Sequence, residues 1–182
     1  MKPLINILIR TSNRPDLFKR CLQSIYDQRY PNVRIIVSVD NDGVDYVPSE
    51  IETIRVTPDK SKDFYYDLYI NDLKAMVNDG YYFCLDDDDT LAPNVLNELV
   101  LDAPAILCQI NHLGRVLPIS VNFGLGCVGF PCLILHHSLK SLAMVSGLDH
   151  GDTHYIREVQ SKVELKFQPI VLVVCDVKSN GQ

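Results

Sequence analysis

The chain has 182 residues, of which 47% are apolar and 22% charged, and its formal net charge is −6. That length buries a core without disulfides or a structural metal, so one soluble globular domain over residues 1–182 is the expectation. The acidic balance argues against general affinity for nucleic acid, which rests on neutralising phosphates with Lys and Arg, and no apolar run is long enough to span a bilayer.

Residues 4–9 are an apolar run broken only by Asn6, which reads as a strand buried on both faces. Arg10-Thr11-Ser12-Asn13-Arg14-Pro15 then supplies a polar turn with capping residues and a first-turn proline. A helix is expected over 16–28, with Leu17, Cys21, Leu22 and Ile25 on one face. Pro31-Asn32 breaks the chain, and 33–39 reads as a second parallel strand ending in Asp40-Asn41-Asp42-Gly43. A short strand over 53–56, a helix over 64–77 carrying Leu68, Leu73 and Val77 inward, and a strand over 81–85 follow. The order strand, helix, strand, strand, helix, strand predicts an α/β domain with a mostly parallel central sheet flanked by helices. Ligands of such sheets sit beyond the carboxyl ends of the strands, and three strands here end in polar clusters, at 11–14, 40–42 and 86–89.

The third cluster is the most informative. Tyr81-Tyr82-Phe83-Cys84-Leu85 runs straight into Asp86-Asp87-Asp88-Asp89. Crowded like charges cost free energy, so a chain keeps them only where they are solvated, cap a helix or hold a hard cation. Two readings follow. In one, the carboxylates bind Mg²⁺ or Mn²⁺ together with the phosphates of a ligand. In the other, Asp89 or Thr90 caps a helix expected over 93–101 and the rest form a solvated turn.

The second half is less regular. Strands are expected over 105–110, 115–119 and 132–135, helices over 138–145 and 152–161, and the last strands within 163–175. Gly124, Gly126 and Gly129 mark either a loop that approaches a ligand or a plain connection. Cys21, Cys84, Cys108, Cys127, Cys132 and Cys175 form no Cys-x-x-Cys pair and read as buried, reduced thiols instead of a zinc site.

The run from Ile5 to Pro15 resembles the first strand and turn of the family 2 glycosyltransferases with the GT-A fold, a Rossmann-like nucleotide-diphospho-sugar transferase fold. The segment 37–43 is similar to their second strand with its acidic ending. Asn71, the stretch from Asp79 to Asp89, and Leu91-Ala92-Pro93-Asn94 resemble their approach to the Asp-x-Asp metal motif and the helix after it. The likeness covers about residues 4–100, a nucleotide-sugar half, and thins over 101–182, an acceptor half. It implies a metal-dependent inverting transferase moving a sugar from a UDP- or GDP-sugar to a hydroxyl on a glycan or lipid-linked glycan, with a Mn²⁺ or Mg²⁺ cofactor. The resemblance gives Asp86 and Asp88 to the ion and ribose, with Asp87 beside them, and Thr11, Arg14, Asp40 and Asp42 to the base and ribose pocket. It sends Lys60 and Lys62 toward the diphosphate. His154, or His150, is a candidate nitrogen ligand.

Relatives place a general base in a Glu-Asp pair near a late helix, and Gly147-Leu148-Asp149-His150-Gly151-Asp152 stands there without the Glu. Asp149 and Asp152 are both candidates; Asp149 is preferred because Asp152 falls where a first-turn carboxylate would serve the helix dipole. Other readings are transfer to hydroxylated bases in DNA, a non-catalytic nucleotide-sugar-binding relative, and a hydrolase built from Asp149, His150, Asp152 and His154. A nucleotidyltransferase would need a glycine in the first loop, and residues 10–15 have none. A cytoplasmic enzyme, at most peripheral to the inner membrane face, is the expected setting.

Overall fold

The computed structural model describes residues 2–40, 45–57, 61 and 63–175. At its centre lies β1 (Ile5–Thr11), whose Ile5, Ile7, Leu8 and Ile9 are inaccessible to solvent. Asn6 survives in that strand because its Nδ2 donates to the carbonyls of Asp79 and Tyr81 at 2.8 and 2.9 Å. β2 (Val33–Val39) and β4 (Tyr81–Asp86) pair with β1 in parallel on its two sides, and β3 (Glu52–Arg55) adds in parallel to β2. Gly80, just before β4, has φ +71°, and a Cβ there would stand 2.4 Å from the Leu4 carbonyl oxygen, so only glycine fits.

Beyond β4 come β8 (Leu133–His136, antiparallel), then β6 (Ala105–His112), β9 (Lys166–Cys175) and the short β5 (Thr90–Leu91). β7 (Arg115–Leu117) folds back on β6 as a hairpin. The order is β3-β2-β1-β4-β8-β6-β9-β5. β6 and β9 run with β1–β4 while β5, β7 and β8 oppose them, so the expected mostly parallel sheet is what forms.

α1 (Pro15–Tyr26) buries Phe18, Cys21, Leu22 and Ile25 at 3–4 spacing; Phe18, not the half-buried Leu17, faces the core. No side chain caps it: Arg14 stands at the N-cap, and its guanidinium is engaged by Asp87 and Asp88. The helix expected over 64–77 is a 3₁₀ turn, Tyr65–Leu68, leading into α2 (Tyr69–Ala75), and its inward residues include Asp67 and Lys74 while Leu68 is half-buried.

Two expected helices are largely absent, for one physical reason. The helix over 93–101 shrinks to α3 (Val95–Glu98) because Leu99 turns extended and the buried Gln168 side chain accepts from the Val100 N–H at 3.2 Å and donates to its carbonyl at 2.5 Å. The helix over 138–145 is a single 3₁₀ turn, His137–Leu139, after which Asn71 bonds both backbone groups of Val145. Polar side chains from other elements take the backbone groups that a helix would need. α4 (Gly151–Gln160) forms as expected, and 163–175 holds one long strand. All six cysteines are free, and Cys127 alone among them is not buried.

Candidate active site

The four consecutive carboxylates lie in a turn closed by the Asp89 N–H on the Asp86 carbonyl at 3.0 Å. Their burial alternates: Asp87 and Asp89 are buried, Asp86 and Asp88 reach partly into solvent. Strand alternation carried into the turn thus sorts them into an inward and an outward pair. Asp87 accepts from Thr11 Oγ1 at 2.6 Å and from the Arg14 guanidinium. Since the single Thr11 proton goes to Asp87, the Tyr46 hydroxyl 2.8 Å away donates to Thr11. Asp89 accepts from Cys175 Sγ at 3.2 Å. Burial pushes the Asp87 carboxyl up to about 6 and the Asp89 carboxyl up to about 7, the Thr11 and Cys175 bonds opposing it. Neither Asp89 nor Thr90 caps a helix, because α3 begins later, behind Asn94.

The outward pair is held by arginines. Arg10 stands opposite Asp86 in the β1–β4 register, and its Nε and Nη2 both bond Asp86 Oδ1, the former at 3.0 Å. Arg14 Nη1 bonds Asp88 Oδ2 at 3.1 Å, and Arg20 holds the Asp88 carbonyl. One oxygen of each outward carboxylate is left without a hydrogen-bond partner among the described residues. Two such oxygens suit Mg²⁺ or Mn²⁺, which takes one or two carboxylates and completes its sphere with phosphates and water. No group of three or more His, Cys, Asp or Glu able to cage an ion by themselves occurs among the described residues.

Asp67, which the sequence reading did not single out, is the second partner of Arg10, with Oδ1 2.5 Å from Nη1. The Tyr66 and Phe130 rings lie 5.3 and 5.9 Å from the Arg10 guanidinium carbon. Burial alone would lower the Arg10 pKa, but the two carboxylates more than offset it and hold the cation protonated. Burial also raises Asp67, against the pull of Arg10. The only signal for Asp67 in the sequence is a lone carboxylate among aromatics, Phe64-Tyr65-Tyr66-Asp67-Leu68-Tyr69.

The remaining expected residues divide. Asp40, at the end of β2, accepts from the Tyr69 hydroxyl at 3.2 Å. Thr11 and Asp87 are buried against each other, so they brace Arg14 instead of presenting atoms to a donor. Asp42, Lys60 and Lys62 lie outside the described residues. His154 is exposed on α4, and the expectation of a histidine third ligand finds no support, since it joins no ion-holding group among the described residues. His150 is half-exposed, 3.9 Å from Asp149, whose side chain is 77% exposed.

Asp152 is different. It sits in the first turn of α4, accepts from the Thr153 N–H at 2.5 Å, and lies 3.9 Å from where a Cβ on Gly129 would stand. Burial raises its pKa, the Thr153 bonds and His150 oppose the rise, and the Asp86 charge adds a smaller push in the same direction. Of the two candidate bases, Asp152 is thus partly buried beside Gly129, while Asp149 stands in solvent.

Residues 6–108 match the model described as Glycosyl transferase family 2, and the chain belongs to that family. Its fold is that of GT-A enzymes. S. aureus TarS in complex with UDP-GlcNAc superposes with a TM-score of 0.75 at 13% identity, covering 98% of this chain and 60% of TarS. The mannosyltransferase PcManGT from Pyrobaculum calidifontis, in complex with GDP-Man and Mn²⁺, gives 0.65 at 15% identity, covering 100% of this chain and 59% of that enzyme. In sequence, the chain is 29% identical over 108 residues to the GalNAc(5)-diNAcBac-PP-undecaprenol beta-1,3-glucosyltransferase of Campylobacter jejuni, which covers 56% of this chain and 35% of that enzyme. The chain therefore spans about a third of the curated relative it matches.

Proposed function

We propose that this domain is a metal-dependent inverting glycosyltransferase that takes a sugar from a UDP- or GDP-sugar and passes it to a hydroxyl of a glycan, in particular a lipid-linked one. The observation that carries the reading is the sorting of the tetra-aspartate: two carboxylates, Asp87 and Asp89, buried and hydrogen-bonded inside the fold, and two, Asp86 and Asp88, turned outward with an oxygen each to offer. Mn²⁺ or Mg²⁺ at these two residues would neutralise charge on the departing diphosphate. Asp40 and Arg14 line the donor side, and Asp152 is the general base. Its carboxylate takes the proton of the acceptor hydroxyl as that oxygen bonds to the anomeric carbon. The bond to the diphosphate breaks on the opposite face, and its electron pair leaves with the nucleotide.

The lipid-linked acceptor is favoured by the Campylobacter relative, whose name specifies an undecaprenol-linked glycan. Such an acceptor sets the domain against the cytoplasmic face of a membrane; no helix among the described residues is long and apolar enough to cross one. Calorimetric titration with UDP and GDP, in Mn²⁺, in Mg²⁺ and in chelator, tests the reading. Binding of one nucleotide with the ion and at least about tenfold weaker binding in chelator is expected. Absence of binding to both nucleotides with either ion would overturn it, and ion-dependent binding without transfer to any glycan would point to the non-catalytic relative.

A further inference from the structure

We propose that Asp67 is a positioning residue for the transfer reaction, tying the base-bearing start of α4 to Arg10 and through it to Asp86 on the donor side. The inference rests on the glycosyl-transfer reading of this site and extends it to a residue that contacts neither the ion nor the acceptor.

One face of residues 64–74 lies along the segment 143–151. Lys74 Nζ donates to the Ala143 carbonyl at 2.7 Å, and Asn71 closes a two-bond ring with Val145 at 2.9 and 3.0 Å. Gly147, at φ +64°, comes so close that a Cβ there would stand 3.2 Å from the Phe64 carbonyl and 3.3 Å from Leu68. A Cβ on Gly151 would lie 3.5 Å from Asp67 Oδ2. Residues 67, 71 and 74 share a face by helical spacing, and their contacts run in reverse order along the facing segment. Asp67 is the last rung. Its Oδ1 takes Arg10 and its Oδ2 faces Gly151, the residue before Asp152, so a single carboxylate stands between Arg10 and the start of α4.

Stability does not account for a carboxylate in that place. Asp67 is 7% exposed, and removing a charge from water costs more than an apolar side chain of the same size would. Asn71, Lys74 and Gly147 already anchor the segment without it. What Asp67 adds is a fixed relation between α4 and Arg10, which cannot swing away because it is held between Asp86 and the Tyr66 and Phe130 rings. Misplacing a reacting group by about 1 Å can cost about a hundredfold in rate, so a tie of this kind is felt in turnover.

The test uses Asp67→Asn in the full chain, with donor-nucleotide affinity, turnover and amide hydrogen exchange measured together. Expected are a fall in kcat of at least about tenfold, donor Kd within about threefold of the parent, and faster exchange at 147–153 with β1 and β4 amides unchanged. Unchanged kcat and exchange would overturn the proposal. So would a joint loss of donor affinity and sheet protection, which would mark a purely structural residue. Should Asp67→Asn fail to fold, Asp67→Glu carries the test, since it keeps the charge and displaces the carboxylate; kcat should fall with Kd unchanged, and parental turnover would overturn the idea. If the parent binds no nucleotide, the glycosyl-transfer reading fails while the exchange data still decide the tie. Normal nucleotide binding with unaltered exchange in the variant sinks the tie alone.

Discussion

Asp86 and Asp152 are held in place by different means. Asp86 stands beside Arg10 because β1 and β4 are parallel neighbours in register, and the register is enforced by a run of inaccessible apolar residues on each strand. Asp152 is placed by side chains that reach across the chain to backbone groups: Lys74 to Ala143, Asn71 to Val145, Arg157 to the Phe123 carbonyl and Gln160 to that of Val121. Backbone ladders hold Asp86 stiffly, while Asp152 depends on individual polar contacts. A sheet edge of this kind is suited to a ligand part that does not vary, such as a diphosphate, and a loop scaffold to one that does.

The sharpest way to break this comparison is at the base. Asp152→Asn should lower transfer by about a hundredfold or more with donor affinity kept, whereas the exposed Asp149→Asn should stay within about twofold of the parent; steady-state kinetics on the true acceptor decides. The reverse outcome would mean that the segment before α4, not α4 itself, carries the chemistry. On the donor side, Asp88→Ala should weaken ion-dependent nucleotide binding at least about tenfold in calorimetry, with the fold retained because Arg14 keeps its bonds to Asp87.

Rigidity is probed by two glycines. Gly80→Ala, under β4, forces a Cβ onto Leu4 backbone and should destabilise by about 2 kcal/mol or more in urea unfolding. Gly114→Ala, in the β6–β7 turn at φ +85° with nothing within 4 Å, should cost only about 1 kcal/mol of backbone strain. Equal costs would show that the two sides are equally tight.

The smallest effects are in the pH dependence of stability, and their signs differ between the two sides. Asp89 is raised by burial from 3.8 to about 7, so the native state binds more protons than the unfolded one between those values. Its contribution is present below the lower value and lost as pH rises through about 7. Lys74 is lowered by burial from 10.5 to about 8, so there the unfolded state binds more protons and stability rises with pH across that window. Urea midpoints of the metal-free protein should follow a falling limb that Asp89→Asn flattens, and Lys74→Met should remove a rising contribution above about 8 that runs against the fall imposed by the buried Cys84, Cys108 and Cys132 thiols, raised from 9.0 to about 12.

Sequence alone determined the parallel sheet of the first half. A short apolar strand, its polar ending and the next strand's acidic ending recur at intervals that only a parallel sheet satisfies, and the sheet then brings those endings to one edge. It could not say which of four successive aspartates turn outward, because that depends on the phase in which β4 leaves the core. Nor could it find Asp67, which is local to no motif and acquires its meaning only from Arg10, 57 positions away. The different surroundings of Asp149 and Asp152 likewise belong to tertiary structure. Both lie in one polar hexapeptide, and what separates them is that α4 begins at Gly151, beside Asp67, which leaves Asp149 in solvent and Asp152 partly buried near Gly129. Hydrophobic periodicity reports where an element buries its face, whereas the direction of a loop carboxylate is fixed by contacts between residues far apart in the chain.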